Sequence, residues 1–220
     1  MIKDNLENLL EKLPSGVTLV AVSKFHPVSS LMKAYDAGQR IFAESRPQEL
    51  AAKVPQMPAD VQWHFIGHLQ TNKLKLVMPY VTLVQSVDSQ HLLEAISAWA
   101  VVNNRVVDVL LELHLGAEET KQGFSEEEIK QIVCEKQPFP PTIPGIRIRG
   151  LMGMATNTED MAVIEKDFER IENLYKQIQA MNLPDFNILS IGMSGDWPLA
   201  VKHSATMVRI GTDIFGPREY

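Results

Sequence analysis

Short apolar runs and longer amphipathic ones alternate along this chain from Thr18 onward. Residues 18–23, 40–43, 62–66, 81–86, 106–113, 147–151, 187–191 and 206–210 are each short and rich in Val, Ile, Leu or Phe, the pattern of strands covered on both faces. Between them, residues 29–37, 46–53, 71–78, 89–103, 125–136, 159–181 and 196–203 carry apolar residues at helical spacing. Ser29, Ser89, Ser125 and Thr158 stand where N-caps are expected. The opening "MIKDNLENLLEKLP" also sets leucines at helical spacing among charges. Strands alternating with helices imply parallel pairing through crossover helices, and eight of them predict a closed (β/α)8 barrel. An open doubly wound sheet is the alternative, but it expects a glycine fingerprint after its first strand, and "SKFHPVSS" contains no glycine. No low-complexity linker divides the chain, and the proline-rich "KQPFPPTIPG" reads as a loop, so residues 1–220 are expected to form one domain.

Composition narrows the function classes. A net charge of −6 with scattered Lys and Arg offers no basic stripe for nucleic acid or an anionic membrane. Cys134 is the single cysteine, so no internal disulfide is possible. The N-terminus lacks the apolar core of a signal peptide, and no run approaches the roughly 18 apolar residues of a membrane span. A cytoplasmic protein is expected.

In a barrel, chemistry belongs where strands end and βα loops begin. The first strand ends on a lysine, and alternation puts Val20, Val22 and Lys24 on one face, so Lys24 would rise into the barrel mouth. Desolvation there would favour the neutral, nucleophilic amine. The plain alternative is a lysine that snorkels to solvent. "LSIGMSGDW" and "MVRIGTDIFG", after strands 7 and 8, pair Gly192 with Ser194 and Gly211 with Thr212. Glycines and hydroxyls there suit a phosphate, and this is the usual phosphate site of the fold. Alternatively Ser194 only caps a helix beginning near Asp196. An imine-forming lysine opposite a phosphate site describes a pocket for a phosphorylated carbonyl compound, either pyridoxal 5'-phosphate or a sugar phosphate. Arg209, on strand 8 beside strand 1, can face a ring nitrogen and keep it unprotonated, or form a rim salt bridge.

The blocks "AVSKFHP", "WHFIGHLQTNK", "RGLMGM", "LSIGMSGD" and "MVRIGTDIFGPREY", in this order over essentially the whole chain, resemble the pyridoxal phosphate homeostasis proteins of YggS/PROSC type. The resemblance implies a barrel like the alanine racemase N-terminal domain, holding pyridoxal phosphate as an internal aldimine on Lys24. It implies phosphate contacts at Ser194, Gly211 and Thr212, Arg209 at the pyridine nitrogen, and His64 and Met152 lining the pocket. It further implies cofactor homeostasis or carriage, pyridoxal-phosphate-dependent apoenzymes as partners, a monomer, and no established turnover. Two stretches depart from the pattern: "FAES" (42–45) stands where many members have "FGEN", putting Ser45 in place of an asparagine. "LELHLGAEETKQGF" has His114 near another expected asparagine.

Two enzymatic readings compete. An amino-acid racemase needs a base on each cofactor face, one usually from a second domain, and only "DIFGPREY" follows strand 8. A sugar-phosphate aldolase or isomerase needs a poised carboxylate at a strand end, for which Glu44 and Glu112 are the candidates. His64 and His68 have the spacing of a helical zinc pair, but Gly67 and the preceding strand argue against a helix, so no metal is expected. The apolar stripe of "IEKDFERIENLYKQIQAM", Cys134, and the tryptophans at 63, 99 and 197 are read as packing, with Trp197 near the phosphate loop.

Overall fold

The computed structural model describes residues 1–116, 122–135 and 142–217. Eight parallel strands close in sequence order: β1 Thr18–Val22, β2 Ile41–Glu44, β3 Gln62–Phe65, β4 Val81–Val87, β5 Val107–Leu113, β6 Ile146–Gly153, β7 Ile188–Ser190 and β8 Met207–Ile210. β8 pairs back onto β1, with Val20 opposite Arg209, and completes the barrel. Each expected strand is present to within two residues at either end.

The helices are α1 Ile2–Lys12, α2 Val28–Asp36, α3 Pro47–Lys53, α4 Leu74–Val77, α5 Gln90–Val102, α6 Glu126–Lys130, α7 Met161–Gln179, α8 Trp197–Lys202 and α9 Thr212–Phe215. Ser89 caps α5 by accepting from the Leu92 N–H, and Ser125 forms a capping box with Glu128 on α6. Two expected caps move. Pro27, extended at φ −70°, precedes α2, so Ser29 lies inside the helix. Asp160 rather than Thr158 caps α7, accepting from the Ala162 N–H, while the Thr158 hydroxyl accepts from the Asp160 N–H. The expected helix at 71–78 is a 3₁₀ turn at Thr71–Lys73 leading into α4, and the one at 125–136 runs from α6 into a π turn at Gln131–Glu135. The Cys134 side chain, residues 117–121 of "LELHLGAEETKQGF" and residues 136–141 of "KQPFPPTIPG" lie outside the described residues.

Packing separates two layers. Ala21, Phe42, Trp63, Phe65, Val109 and Leu189 face outward and join the helices' buried stripes, including Ile164, Phe168, Ile171, Leu174 and Ile178 of α7, in the main core. A smaller cluster fills the barrel: Val20, Ala43, Leu83, Leu110, Met152 and Met207. These residues follow the alternation of side chains along their strands, which register shifts interrupt around β4 and β6, and that alternation decides what reaches the mouth. Among the described residues, no helix is long and apolar enough to cross a membrane.

Candidate functional site

One step beyond the interior apolar cluster, the same alternation aims a polar layer at the C-terminal end of the barrel. His64 follows on β3, Gln85 on β4, Glu112 on β5, Ser190 on β7 and Arg209 on β8, all buried. Polar groups this deep have to satisfy one another. Arg209 donates from Nη1 to the Ser190 carbonyl and hydroxyl oxygens, both at 2.7 Å, and from Nη2 to the Gly153 carbonyl at 2.9 Å. The Ser190 hydroxyl donates to Gln85 Oε1 at 2.7 Å, and Gln85 Nε2 reaches His64 Nδ1 at 2.9 Å. With these amide and tautomer assignments, His64 accepts at Nδ1 and carries its proton on Nε2. Burial also holds His64 down to about 4, so the ring is neutral at physiological pH.

The guanidinium is thus pinned by β6 and β7 while belonging to β8. Desolvation lowers Arg209 to about 10, with Glu112 and Asp196 opposing that shift, so it remains a cation. No described residue accepts from its Nε–H.

Lys24 lies two residues beyond β1, half-buried, on the inward parity of Val20 and Val22. Met152 is fully buried in the barrel between its apolar and polar layers. Ser194 does not cap α8; the residue at that position is Asp196, whose Oδ1 accepts from the Met193 N–H. The Ser194 hydroxyl faces the other loop instead and accepts from the Asp213 N–H at 3.5 Å, so the loops after β7 and β8 meet. Gly211 stands at the N-cap of α9, which Thr212 begins, one helix more than the apolar spacing predicts after β8. A Cβ at Gly211 would stand 3.1 Å from the Val22 carbonyl, and one at Gly192 2.6 Å from the Ala200 methyl, whereas Gly195 has open space beside it. A cavity of about 510 Å³ opens next to these loops, lined by Met154, Thr156, Met193, Gly195 and Asp196 among others.

The two candidate carboxylates part company. Glu44 follows outward-facing Phe42 on β2 and points away from the mouth, into a buried cluster with Ser23 and Lys53. It is no strand-end acid or base for substrate. Glu112 faces inward, and burial, reinforced by Asp88 and opposed by Arg209, pushes it up to about 7.

That shift has a sign that can be tested. Below pH 4.5, its ordinary value, both folded and unfolded states hold the proton; between 4.5 and about 7 the unfolded chain releases it first, so stability falls as pH rises. Glu112→Gln removes the penalty. Its advantage over the parent in denaturant unfolding is expected to be small near pH 4.5 and to reach about 3 kcal/mol at pH 8. A pH-independent difference would contradict it. His64, which lowers stability as pH falls from 6.5 toward 4, acts equally in both proteins and cancels.

Comparison with known proteins bears on this geometry. A family model described as "Alanine racemase, N-terminal domain" matches residues 1–219. A Pasteurella multocida protein named pyridoxal phosphate homeostasis protein is 35% identical over 227 residues, covering 100% of this chain and 95% of that one. This chain belongs to the pyridoxal phosphate homeostasis protein family. Among solved structures of the family, PipY of Synechococcus elongatus without PLP superposes with a TM-score of 0.91 at 34% identity, over 98% of this chain and 100% of that one. The form of PipY with PLP bound gives a TM-score of 0.86 at 33% identity over the same shares.

Within this family framework, the two departures have structural settings. Ser45 follows β2, and its backbone lies so close to Gly67 that a Cβ there would be 2.1 Å from the Ser45 carbonyl oxygen. His114 is tied by its backbone N–H to the Phe124 carbonyl at 2.9 Å. His68 bonds through Nδ1 to Asp88 at 2.8 Å, while His64 faces Gln85. The two rings are therefore engaged separately.

Sequence reasoning missed Gln85 and Ser190, which seat Arg209, and Lys53 and Glu49, which lie behind the Lys24 turn. A polar residue on the inward parity of an otherwise apolar strand was the available signal for the first pair. Nothing local marked Lys53 as buried.

Proposed function

We propose that this chain binds pyridoxal 5'-phosphate in the barrel mouth through Lys24 and serves cofactor homeostasis in the cytoplasm, as a monomer that holds and delivers it to dependent apoenzymes. What supports this reading is the position of three features at the same ends of their strands: Lys24 just past β1 on the parity of Val20, the pinned arginine on β8, and the touching loops after β7 and β8. The PLP-bound form of PipY supports it.

The residues fit the group. The Ser194 hydroxyl reaches the Asp213 N–H across the two loops, Gly211 and Thr212 open α9, and a Cβ at Gly195 would meet nothing within 4 Å, so hydroxyl and backbone N–H groups of these loops would hold the phosphate. Arg209 would face the ring nitrogen with its remaining donor, and its fixed charge would keep that nitrogen unprotonated. His64 and Met152, both buried inside the barrel, would lie on the ring's side of the site. When bound, the cofactor supplies an aldehyde that condenses reversibly with amines and a ring that delocalises charge. The Lys24 amine is the group that captures that aldehyde, a carbon–nitrogen double bond forming with loss of water. By withholding a proton from the ring nitrogen, Arg209 weakens the electron sink, which suits holding the cofactor better than carbanion chemistry and makes alanine racemisation negligible.

The test is spectroscopic. Cofactor-free protein mixed with pyridoxal 5'-phosphate is expected to turn yellow, to bleach with borohydride, and to carry one pyridoxyl mass on the Lys24 peptide. A protein that stays colourless would overturn the reading and favour a sugar-phosphate ligand.

A further inference from the structure

Behind the Lys24 turn, on the outward side of β1 and β2, three ionisable side chains meet in the core. Lys53, the last residue of α3, is buried, and its ammonium spends its three donors on the Ser23 carbonyl at 2.8 Å, Glu44 Oε1 at 2.7 Å and Glu49 Oε1 at 2.8 Å. Glu49 Oε1 also accepts the Phe25 N–H at 2.7 Å, and Glu44 Oε1 accepts the Ser23 hydroxyl at 2.6 Å. Each bond ends on another member of the cluster or on a residue flanking Lys24.

The backbone they hold is unusual. Phe25 has φ +69°, the left-handed region that a residue with a side chain enters at a cost and keeps only when its surroundings over-determine it. They do so here: the Arg46 guanidinium lies 4.3 Å from the Phe25 ring centre, and His26 stacks on Phe215 at 4.9 Å. The cluster itself is expensive as a mere filler. Two carboxylates share one ammonium, Glu44 Oε2 is buried without a partner, and burial raises Glu44. Well-packed apolar side chains would serve stability as well or better.

We propose that the Glu44–Lys53–Glu49 cluster is the positioning device of Lys24, holding Ser23 and Phe25 so that the amine enters the mouth in the orientation that captures a phosphorylated aldehyde. This rests on the reading that Lys24 anchors pyridoxal 5'-phosphate. Neither glutamate nor Lys53 touches the ligand. Glu49 acts through the Phe25 N–H and Lys53 through the Ser23 carbonyl.

The experiment measures, at saturating pyridoxal 5'-phosphate, the rate at which the borohydride-reducible band grows, together with the thermal midpoint and the affinity for 4'-deoxypyridoxine 5'-phosphate, which has no aldehyde. Removing Lys53 alone would strand buried Glu44 and half-buried Glu49, so the variants are Glu49→Ala, Glu49→Gln and the pair Lys53→Met with Glu44→Gln. Glu49→Ala is expected to slow capture by about 10-fold to 100-fold, as loss of a near-attack orientation does, with unchanged affinity for the deoxy analogue. Glu49→Gln keeps an acceptor for Phe25 and is expected to restore most of the rate. The Lys53/Glu44 pair is expected to slow capture as Glu49→Ala does. Parental capture rates in both Glu49→Ala and the double variant would overturn the proposal and leave the cluster purely structural. A parent protein that forms no reducible band on Lys24 would instead overturn the underlying reading, and this proposal with it.

Discussion

Lys24→Ala is expected to abolish the reducible chromophore while leaving the protein folded and still able to bind the cofactor weakly. The argument begins with what Lys24 does not do: it lies beyond the end of β1 and is half-buried, so truncating it opens no core cavity. The seat of Arg209 on Ser190 and Gly153 is independent of it, as is the contact between the Ser194 hydroxyl and the Asp213 N–H. The noncovalent part of the site survives, and the covalent part disappears completely, because no other primary amine follows the inward line of β1. Absorption spectra with and without borohydride, peptide mapping and a melting curve check all three statements. A persistent reducible band mapping to another lysine would move the anchor. A collapse of the melting midpoint would show that Lys24 is structural.

Gly150→Ala is expected to be the most damaging single-methyl change in the barrel. Gly150 is an interior residue of β6 with φ +152°, opposite Ile188 of β7, beside the register shift between Val109 and Leu110. A Cβ would fall 1.7 Å from the Ile188 carbonyl oxygen and 2.7 Å from its carbon. Both are backbone atoms, so no side chain can swing aside, and β7, only three residues long, must separate from β6 or shift along it. A loss of about 4 kcal/mol or more is expected in denaturant unfolding, in the range reserved for core clashes and backbone strain. The damage reaches the site, because Met152, Gly153 and Ser190 all lie just downstream on the two strands that pin Arg209. Gly38→Ala is the control: its φ is +102° but nothing lies within 4 Å of a Cβ, so only the strain of roughly 1–3 kcal/mol applies. Equal losses for the two variants would contradict the steric argument.

The barrel was legible because its signal is repetitive. Each strand is a short apolar run, each crossover helix carries an apolar stripe, and one misplaced end changes neither their number nor their order. Ser29 and Thr158 illustrate what local rules miss: Pro27 and Asp160 won those caps through backbone geometry two residues away. The site divides along the same line. Lys24 is proposed on its parity with Val20 and Val22, and Ser194, Gly211 and Thr212 on following apolar strands with glycine and hydroxyl residues; the structure adds that the two loops touch.

Glu44 shows where that reading fails. In the four-residue β2, "IFAE", apolar residues occupy both faces, so the sequence does not say whether Glu44 faces the mouth or the helices. Its direction is decided only when Phe42 joins the outer core and Ala43 the inner one. Lys53 and Glu49 look in sequence like an ordinary exposed pair one helical turn apart. Their burial follows from α3 folding back against the end of β1, a contact between residues 30 apart in sequence.

The sequence by itself determined the strand count and the parallel barrel order, since these depend on periodicities of two or 3.6 residues that the chain carries locally. Tertiary structure alone decided that Arg209 is held by β6 and β7, that His64 is neutral, that Glu112 titrates near neutrality, and that a buried ammonium supports the Lys24 turn. Those properties are set by desolvation and by hydrogen bonds between strands distant in the chain, and both come into being only when the barrel closes.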